Sequence, residues 1–407
     1  MSGALSHIRV LDLSRVLAGP WAGQILADLG AEVIKVERPG VGDDTRGWGP
    51  PYARDAAGQD TGEAAYYLCA NRGKRSVTVD IAKPEGQRLV RELAAHCDVL
   101  IENYKVGGLA RYGLDYASLS AGHPGLIYCS VTGFGQTGPY RDLPGYDFMV
   151  QGLGGLMSIT GEPDGVPGGG PMKVGVALAD VMTGLYATIG VLAALAHRDQ
   201  TGVGQHIDMA LLDVQVAVLA NQAMNYLTTG VAPQRLGNAH PNIVPYQTFA
   251  AADGHLILAV GNDAQFARFC EVAGVAELAR DPRFATNRAR VAHRAELVPL
   301  LAARMALKPR DAWLAELGRV NVPCGPINTL DQVFADPQVQ HRGLRVDLPH
   351  PLAGSVPGVG SPLKLSATPV EYGGAPPTLG QHTDSVLGEL LGYPRDAIER
   401  LRAHGVV

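Results

Sequence analysis

The feature that most constrains the fold lies in residues 7–37. H-I-R-V-L-D-L reads as a strand from its β-branched and alternating content. P-W-A-G-Q-I-L-A-D-L-G follows with helical spacing, a proline near its start and Gly30 at its stop. A-E-V-I-K-V-E is a second apolar strand. Strand, helix and strand in that order make a βαβ unit, whose crossover sets the two strands parallel.

The pattern continues. K-P-E-G-Q-R-L-V-R-E-L-A-A-H-C is an amphipathic helix, D-V-L-I-E-N-Y a strand, and L-I-Y-C-S-V-T-G-F-G a strand running into a glycine loop. The first ~150 residues therefore read as an α/β sheet of Rossmann type. From about 150 to 225 the pattern turns mainly helical. M-A-L-L-D-V-Q-V-A-V-L-A-N-Q-A-M-N-Y-L is apolar almost all round, which suits burial or a subunit contact. G-H-L-I-L-A-V-G resumes strand character, residues 262–318 read as charged helices, and the tail closes with two short helices. The expected organisation is a Rossmann-like large domain built from N- and C-terminal parts (1–225 and 326–407) plus a smaller α/β domain (226–325).

Composition excludes several function classes. A formal charge of −5 lacks the basic footprint of a nucleic-acid partner. The five cysteines, Cys69, Cys97, Cys129, Cys270 and Cys324, show no C-x-x-C spacing and suit free thiols in a reducing compartment. No basic segment leads into a long apolar run at the N-terminus, and no run of about 18 uninterrupted apolar residues occurs. The expectation is a cytoplasmic protein with no membrane partner.

No G-x-G-x-x-G follows the first strand, where the turn is S-R-V-L-A-G-P-W-A-G, so a dinucleotide is not indicated. P-loop, H-E-x-x-H and G-x-S-x-G motifs are absent, and no metal site is expected. His240 and His255 have no ligand partner in the pattern. Basic residues stand in turns after strands: Arg38, then Arg72, Lys74 and Arg75, then Lys105 and Arg111. They suit either a phosphorylated ligand at the carboxyl edge of the sheet or a solvated rim. Asp180, in A-L-A-D-V-M-T-G, begins an apolar helix. Two roles fit it: a helix cap, or a carboxylate set at the positive end of a helix facing a crevice.

The ordered motifs go further. V-L-D-L-S-R-V-L-A-G-P, D-L-G-A-E-V-I-K-V-E-R-P-G, N-R-G-K-R-S-V-T-V-D, Y-C-S-V-T-G-F-G-Q-T-G-P, T-G-V-G-Q-H-I-D and G-Q-H-T together resemble the family III (CaiB/BaiF-type) CoA-transferases, over nearly the whole chain. That superfamily also contains the α-methylacyl-CoA racemases. The resemblance places the family's nucleophilic aspartate on Asp180. It places CoA contacts on Leu17, Ala18, Arg38, Val79, Asp80, Asn103, Tyr104, Lys105 and Arg111. Coenzyme A enters as a thioester substrate, and no bound cofactor is implied. It implies an interlocked homodimer. Leu17 stands where formyl-CoA transferase has glutamine. The tetraglycine loop of that enzyme is replaced by R-L-G-N-A-H-P-N-I-V-P-Y-Q-T-F, which turns the expectation away from oxalate and formate. A-H-P-N-I-V-P-Y-Q-T-F, V-G-N-D-A-Q-F-A and V-P-C-G-P-I-N-T-L-D-Q-V-F-A-D-P-Q-V are most similar to the succinyl-CoA:dicarboxylate (glutarate-type) members.

Racemases carry G-H-D where this chain has G-Y-D. Tyr146 replaces the histidine that exchanges the α-proton, and a phenol is a poor proton acceptor at neutral pH. A 2-methylacyl-CoA racemase or a non-catalytic CoA-binding protein are the alternatives. For transfer, Asp180 is expected to be ionised at neutral pH with no general base. Oxyanion donors are sought in Gly152–Gly155 and in the Gly237–Asn238 loop. A cation for the distal carboxylate of a dicarboxylate is sought among Arg15, Arg46, Arg72 and His240.

Overall fold

The computed structural model describes residues 3–407. The chain forms two compact units. The larger takes in the residues up to Leu156, then Val174–Met224 and Pro337–Val407. The smaller takes in Met157–Lys173 and Asn225–Asp336.

The larger unit is organised by a parallel sheet. Its strands are β1 (Arg9–Asp12) and β2 (Glu32–Glu37), then, beyond a small β3–β4 hairpin (Tyr52–Arg54, Asp60–Ala64), β5 (Lys74–Thr78), β6 (Val99–Glu102), β7 (Ile127–Thr132) and β8 (His206–Ala210). The order across the sheet is β5-β2-β1-β6-β7-β8, with every pairing parallel. The chain winds outward from β1 in one direction and then from β6 in the other. The order reverses between β1 and β6, which opens a crevice beyond their carboxyl ends.

Both faces of the sheet are buried, as a parallel sheet requires. Leu11, Ile34, Val77 and Leu100 face helix Pro84–Ala95 and the C-terminal helices Thr383–Glu389 and Arg395–Ala403. The alternate residues Val10, Val33, Val99 and Ile127 face helices Ala18–Asp28 and Leu178–Thr201. The G-Q-H-T segment ties the C-terminus to β5: the His382 amide donates to the Ser76 carbonyl (2.9 Å) and the Thr78 amide to Thr383 Oγ1 (3.0 Å). A second hairpin, of β12 (Arg345–His350) and β13 (Gly354–Val359), also belongs to this unit.

The smaller unit has its own core. β9 (Tyr246–Ala251), β10 (Gly254–Ala259) and β11 (Cys324–Pro326) form an antiparallel sheet in the order β11-β10-β9. Helices Asp263–Val272, Arg294–Met305 and Arg310–Arg319 pack Phe266, Phe269, Leu301 and Trp313 with Leu256 and Leu258 of β10.

Three differences from the sequence reading stand out. Met157–Lys173 joins the smaller unit, which runs on to Asp336, where the reading closed a small domain at 226–325. Gly161 supplies the reason: its carbonyl accepts from the Gly237 amide, and Arg235 binds both the Glu162 carbonyl and the Asp164 carboxylate. Second, the region read as mainly helical from 150 to 225 supplies β8, a short strand whose H-I-D-M-A alternates exposed and half-buried residues before the buried Ala210 and gives no long apolar signal. Third, the single apolar run from 209 to 227 breaks into helices Leu211–Ala217 and Ala220–Thr229, with Ala220 at φ +45°. The second of these helices buries none of its residues.

Helix Leu178–Thr201 has 24 residues and is apolar enough by length and composition to cross a membrane, although the sequence reading expects no span. Core helices of globular proteins meet the same description, and here Ala179, Ala187, Val191 and Ala194 are buried against the sheet. Gly184 lets this helix approach the Ala18–Asp28 helix closely. A Cβ at 184 would stand 2.7 Å from the Ala18 carbonyl oxygen and 3.0 Å from Trp21 Cβ.

Candidate active site

Asp180 lies in the first turn of helix Leu178–Thr201. The N-cap residue is Ala177, which has no side-chain acceptor for the exposed amides. Asp147 supplies one from an earlier helix, Asp147–Leu153. Its Oδ1 accepts from the Ala179 amide at 2.8 Å and the Asp180 amide at 3.3 Å. Its Oδ2 accepts from Gln151 Nε2 at 2.7 Å. Gln151, fully buried, is held in turn by the Val174 amide, which donates to its Oε1 at 2.9 Å. So Asp147 caps the helix, and the Asp180 carboxylate makes no hydrogen bond or ion pair among the described residues.

Burial pushes the Asp180 carboxyl up to about 7, and the nearby Asp147 charge adds to the shift. The sequence expectation of an ordinary, fully ionised aspartate is therefore corrected: near pH 7 about half of this group carries its proton. Tyr66 shares the neighbourhood. Its phenol is pushed up to about 12, first by burial and then by the charge of Asp180.

The switch point is built by the turn after β1. Asn103, just past β6, clamps that turn with both ends of its amide. Its Oδ1 accepts from the Arg15 amide (2.9 Å) and its Nδ2 donates to the Arg15 carbonyl (2.6 Å). Val16 sits at φ +71°, a left-handed conformation that a β-branched residue rarely adopts. Its amide donates to Asp43 Oδ1 at 3.2 Å. Asp43 is anchored by Lys35, whose buried Nζ donates to Asp43 Oδ2 (2.9 Å) and to the Ser14 carbonyl (2.8 Å). Burial alone would raise the Asp43 carboxyl, but Lys35 and the Thr45 amide outweigh it and hold the group down at about 2.

The structure gathers most of the sequence-predicted contacts along the carboxyl edge of the sheet. Leu17 and Ala18 follow β1 and are buried. Arg38 follows β2 and is exposed. Val79 and Asp80 follow β5, and the Asp80 carboxylate accepts from the Ala82 amide at 3.0 Å. Asn103 and Tyr104, half-buried, and Lys105, exposed, follow β6. Arg111 lies further along that connection, stacked over Tyr112 at 4.5 Å. Tyr146 stands beside Asp147 at a helix start and is 62% exposed. Gly237, Asn238 and His240 belong to the smaller unit.

Several candidate cations are committed elsewhere. Arg46 forks onto Glu37 at 2.7 and 2.8 Å, and Arg72 onto Asp28 at 2.8 and 2.6 Å. Lys74 is buried against Asp12 at 2.8 Å, and Arg75 binds Glu32 at 2.8 Å. Buried charges need partners, and the acids on β1, β2 and the first helix claim these bases before any ligand could. Arg15 is exposed and paired to Asp44. Three of the proposed oxyanion donors are also taken. The Gly154, Gly155 and Gly237 amides donate to the carbonyls of Val150, Gly152 and Gly161.

The sequence reading passed over Asp147, although G-Y-D held it in view. The missing signal is the spacing to Gln151, four residues on and on the same helical face. Tyr66 carries no signal in its neighbours.

This arrangement defines an α/β enzyme with a crevice at the switch point of its parallel sheet and an uncapped carboxylate at a helix start. The chain belongs to CoA-transferase family III, whose model matches residues 5–383. It is 56% identical over 393 residues to succinate–glutarate CoA-transferase of Agrobacterium fabrum, covering 97% of each chain. It is 44% identical to succinyl-CoA:glutarate CoA-transferase of Homo sapiens, covering 99% of this chain and 90% of that one. A crystal structure of a CaiB/BaiF family protein from Brucella suis superposes with a TM-score of 0.83 at 54% identity, covering 96% of this chain and 100% of that one.

Proposed function

We propose that the chain moves CoA from succinyl-CoA to a dicarboxylate acceptor through a covalent intermediate on Asp180. The observation that carries the reading is the uncommitted Asp180 carboxylate, freed because Asp147 caps the helix. The named activities of the 56% and 44% identical relatives supply the substrate class.

An ionised Asp180 oxygen attacks the donor thioester carbonyl. The C–S bond breaks, and CoA leaves as thiolate from a mixed anhydride. The thiolate attacks the aspartyl carbonyl and expels succinate, leaving an aspartyl-CoA thioester. The acceptor carboxylate then attacks that carbonyl, displacing the thiolate and forming a second anhydride. The thiolate returns to the acceptor's acyl carbon, which gives the new acyl-CoA and restores the Asp180 carboxylate. One thioester replaces another, so the steps need no external energy source. The helix N-terminus favours the charged carboxylate, opposing burial.

The test follows new acyl-CoA by mass, with succinyl-CoA and a dicarboxylate panel headed by glutarate. Wild type should form glutaryl-CoA, and Asp180→Ala should lose turnover by roughly 10³-fold or more. Undiminished transfer by Asp180→Ala would remove the covalent role. Deuterium entering the α-carbon of a 2-methylacyl-CoA, with no transfer, would instead indicate the racemase reaction.

A further inference from the structure

One buried acid of the larger unit has no base to meet. Glu102 ends β6 and is 6% exposed. Asp12, Asp28, Glu37 and Asp43, the buried acids along β1, β2 and the segments that follow them, each pair with a lysine or arginine. Glu102 makes no ion pair among the described residues. Burial pushes its carboxyl up to about 7, against the pull of the Ser130 hydroxyl and the Tyr104 amide. Ser130 is its register partner on β7, and the Ser130 hydroxyl is itself 2.9 Å from His206 Nε2 on β8. A buried carboxyl group without a counter-ion is costly to keep.

This one holds the start of the connection after β6. Glu102 Oε2 accepts from the Tyr104 amide at 2.7 Å. Tyr104 packs its ring against the core, and the Arg15 guanidinium lies over that ring at 5.7 Å. Asn103, between the two bonded residues, has its side chain locked to both backbone groups of Arg15. One carboxyl group therefore fixes two loops. It holds the 103–111 connection directly, and through Asn103 it holds the turn in which Val16 sits at φ +71°. Such a conformation persists only where its neighbours over-determine it. The far end of the connection is anchored separately, by Tyr128 Oη donating to the Leu114 carbonyl at 2.9 Å. Between the anchors stand Lys105 and Arg111, exposed and without an ion pair among the described residues. Free cations at the switch point suit the phosphates of a CoA thioester.

We infer that Glu102 is a positioning residue for acyl-CoA binding: through the Tyr104 amide it sets the connection that carries Asn103, Lys105 and Arg111. It touches no reacting atom. The inference rests on the CoA-transferase reading and gives a role to the acid of D-V-L-I-E-N-Y.

The experiment measures KM for succinyl-CoA, kcat with glutarate as acceptor, and Kd for free CoA by calorimetry. Glu102→Met keeps the length of the side chain but removes its oxygens, which leaves the Tyr104 amide without its acceptor. It should raise KM for succinyl-CoA and Kd for CoA by about tenfold, with kcat within about twofold of wild type. Glu102→Gln keeps an acceptor for that amide and should restore most of the lost affinity. A merely structural role would lower kcat and the melting temperature and leave Kd for CoA unmoved, which would overturn the inference. So would a Glu102→Gln protein that binds CoA as weakly as Glu102→Met, because the amide contact would then not set the affinity. If Glu102→Met melts early, Ser130→Ala carries the test. It leaves the acid in place and removes one of its two holds, so Kd for CoA should rise in the same direction, and an unmoved Kd would overturn the inference. If wild type transfers CoA to no acid, the functional reading falls on its own, and Kd for CoA still decides the role of Glu102. Tighter binding by wild type and Glu102→Gln than by Glu102→Met supports it; equal binding by all three, or binding by none, overturns it.

Discussion

Asp180 is held in a position that opposes its charge. Its carboxyl is raised to about 7 by burial and then by Asp147, so the folded protein holds this proton more tightly than the unfolded chain, where aspartate titrates near ~3.9. The sign follows from linkage. The penalty is absent below about pH 4, grows as pH rises toward 7, and is constant above it. Asp180→Asn removes the titration. It should be more stable than wild type at pH 8, by about 1–2 kcal/mol after allowance for solvent screening of a half-buried group. The advantage should shrink at pH 4.5. Melting curves at both pH values check it, and an equal difference at both would contradict the raised pKa. Asp147 is separable from burial. Asp147→Asn keeps an acceptor for the Ala179 and Asp180 amides but removes the charge. The acid limb of its kcat/KM profile should move to lower pH, while burial keeps it above the ordinary aspartate range. The lost bond to Gln151 should cost about 1 kcal/mol of stability. A general loss of rate with an unmoved acid limb would reduce Asp147 to a structural cap.

At the scale of elements, the site depends on how closely two helices approach. A Cβ at Gly184 would press 2.7 Å onto the Ala18 carbonyl oxygen, which is backbone and cannot swing aside. Gly184→Val should therefore cost roughly 2 kcal/mol or more by overpacking and lower kcat by shifting Asp180 against the turn after β1. Gly190 is the control. Its added Cβ would meet side-chain ends alone, the Ile207 Cγ2 methyl at 3.3 Å, Ile207 Cδ1 at 3.7 Å and Met209 Cε at 3.8 Å, so Gly190→Ala should be nearly neutral in urea melts and in rate. Equal effects of the two variants would mean that helix spacing does not govern the site. The same scale shows what the sequence made legible. Hydrophobic period and glycine stops mark β1, the first helix and β2, because a sheet buried on both faces writes itself as apolar runs. β8 left little trace, since a five-residue strand that alternates exposed and half-buried positions up to a buried Ala210 has no such run. Of the site, the motif locates Asp180 and the edge loops. It does not separate bases that bind ligand from bases that bind Asp12, Asp28 or Glu37, because those pairings join residues far apart in the chain.

For the whole molecule, the telling surface is the outer side of the Asp180 helix. Leu185, Tyr186, Ile189 and Leu192 recur at the spacing of one helical face, yet all are exposed, Ile189 to 58%. Phe148 and Leu153, on the helix that carries Asp147, are 58% and 60% exposed. Monomeric proteins rarely leave such residues together in water, and patches of this kind mark association surfaces. A second copy of the chain is the occupant we propose, in keeping with the interlocked dimer that the family resemblance implies. The surface lies on the same two helices as Asp180 and Asp147, so association and catalysis should be coupled. Sedimentation equilibrium at micromolar concentration should give twice the chain mass. Ile189→Glu, which places a charge on that face without touching Asp180, should lower both the dimer fraction and the specific activity, and activity should recover as protein concentration rises. A wild-type monomer with full turnover would refute the coupling. So would a dimeric Ile189→Glu protein that has lost activity, because the loss would then come from within one chain.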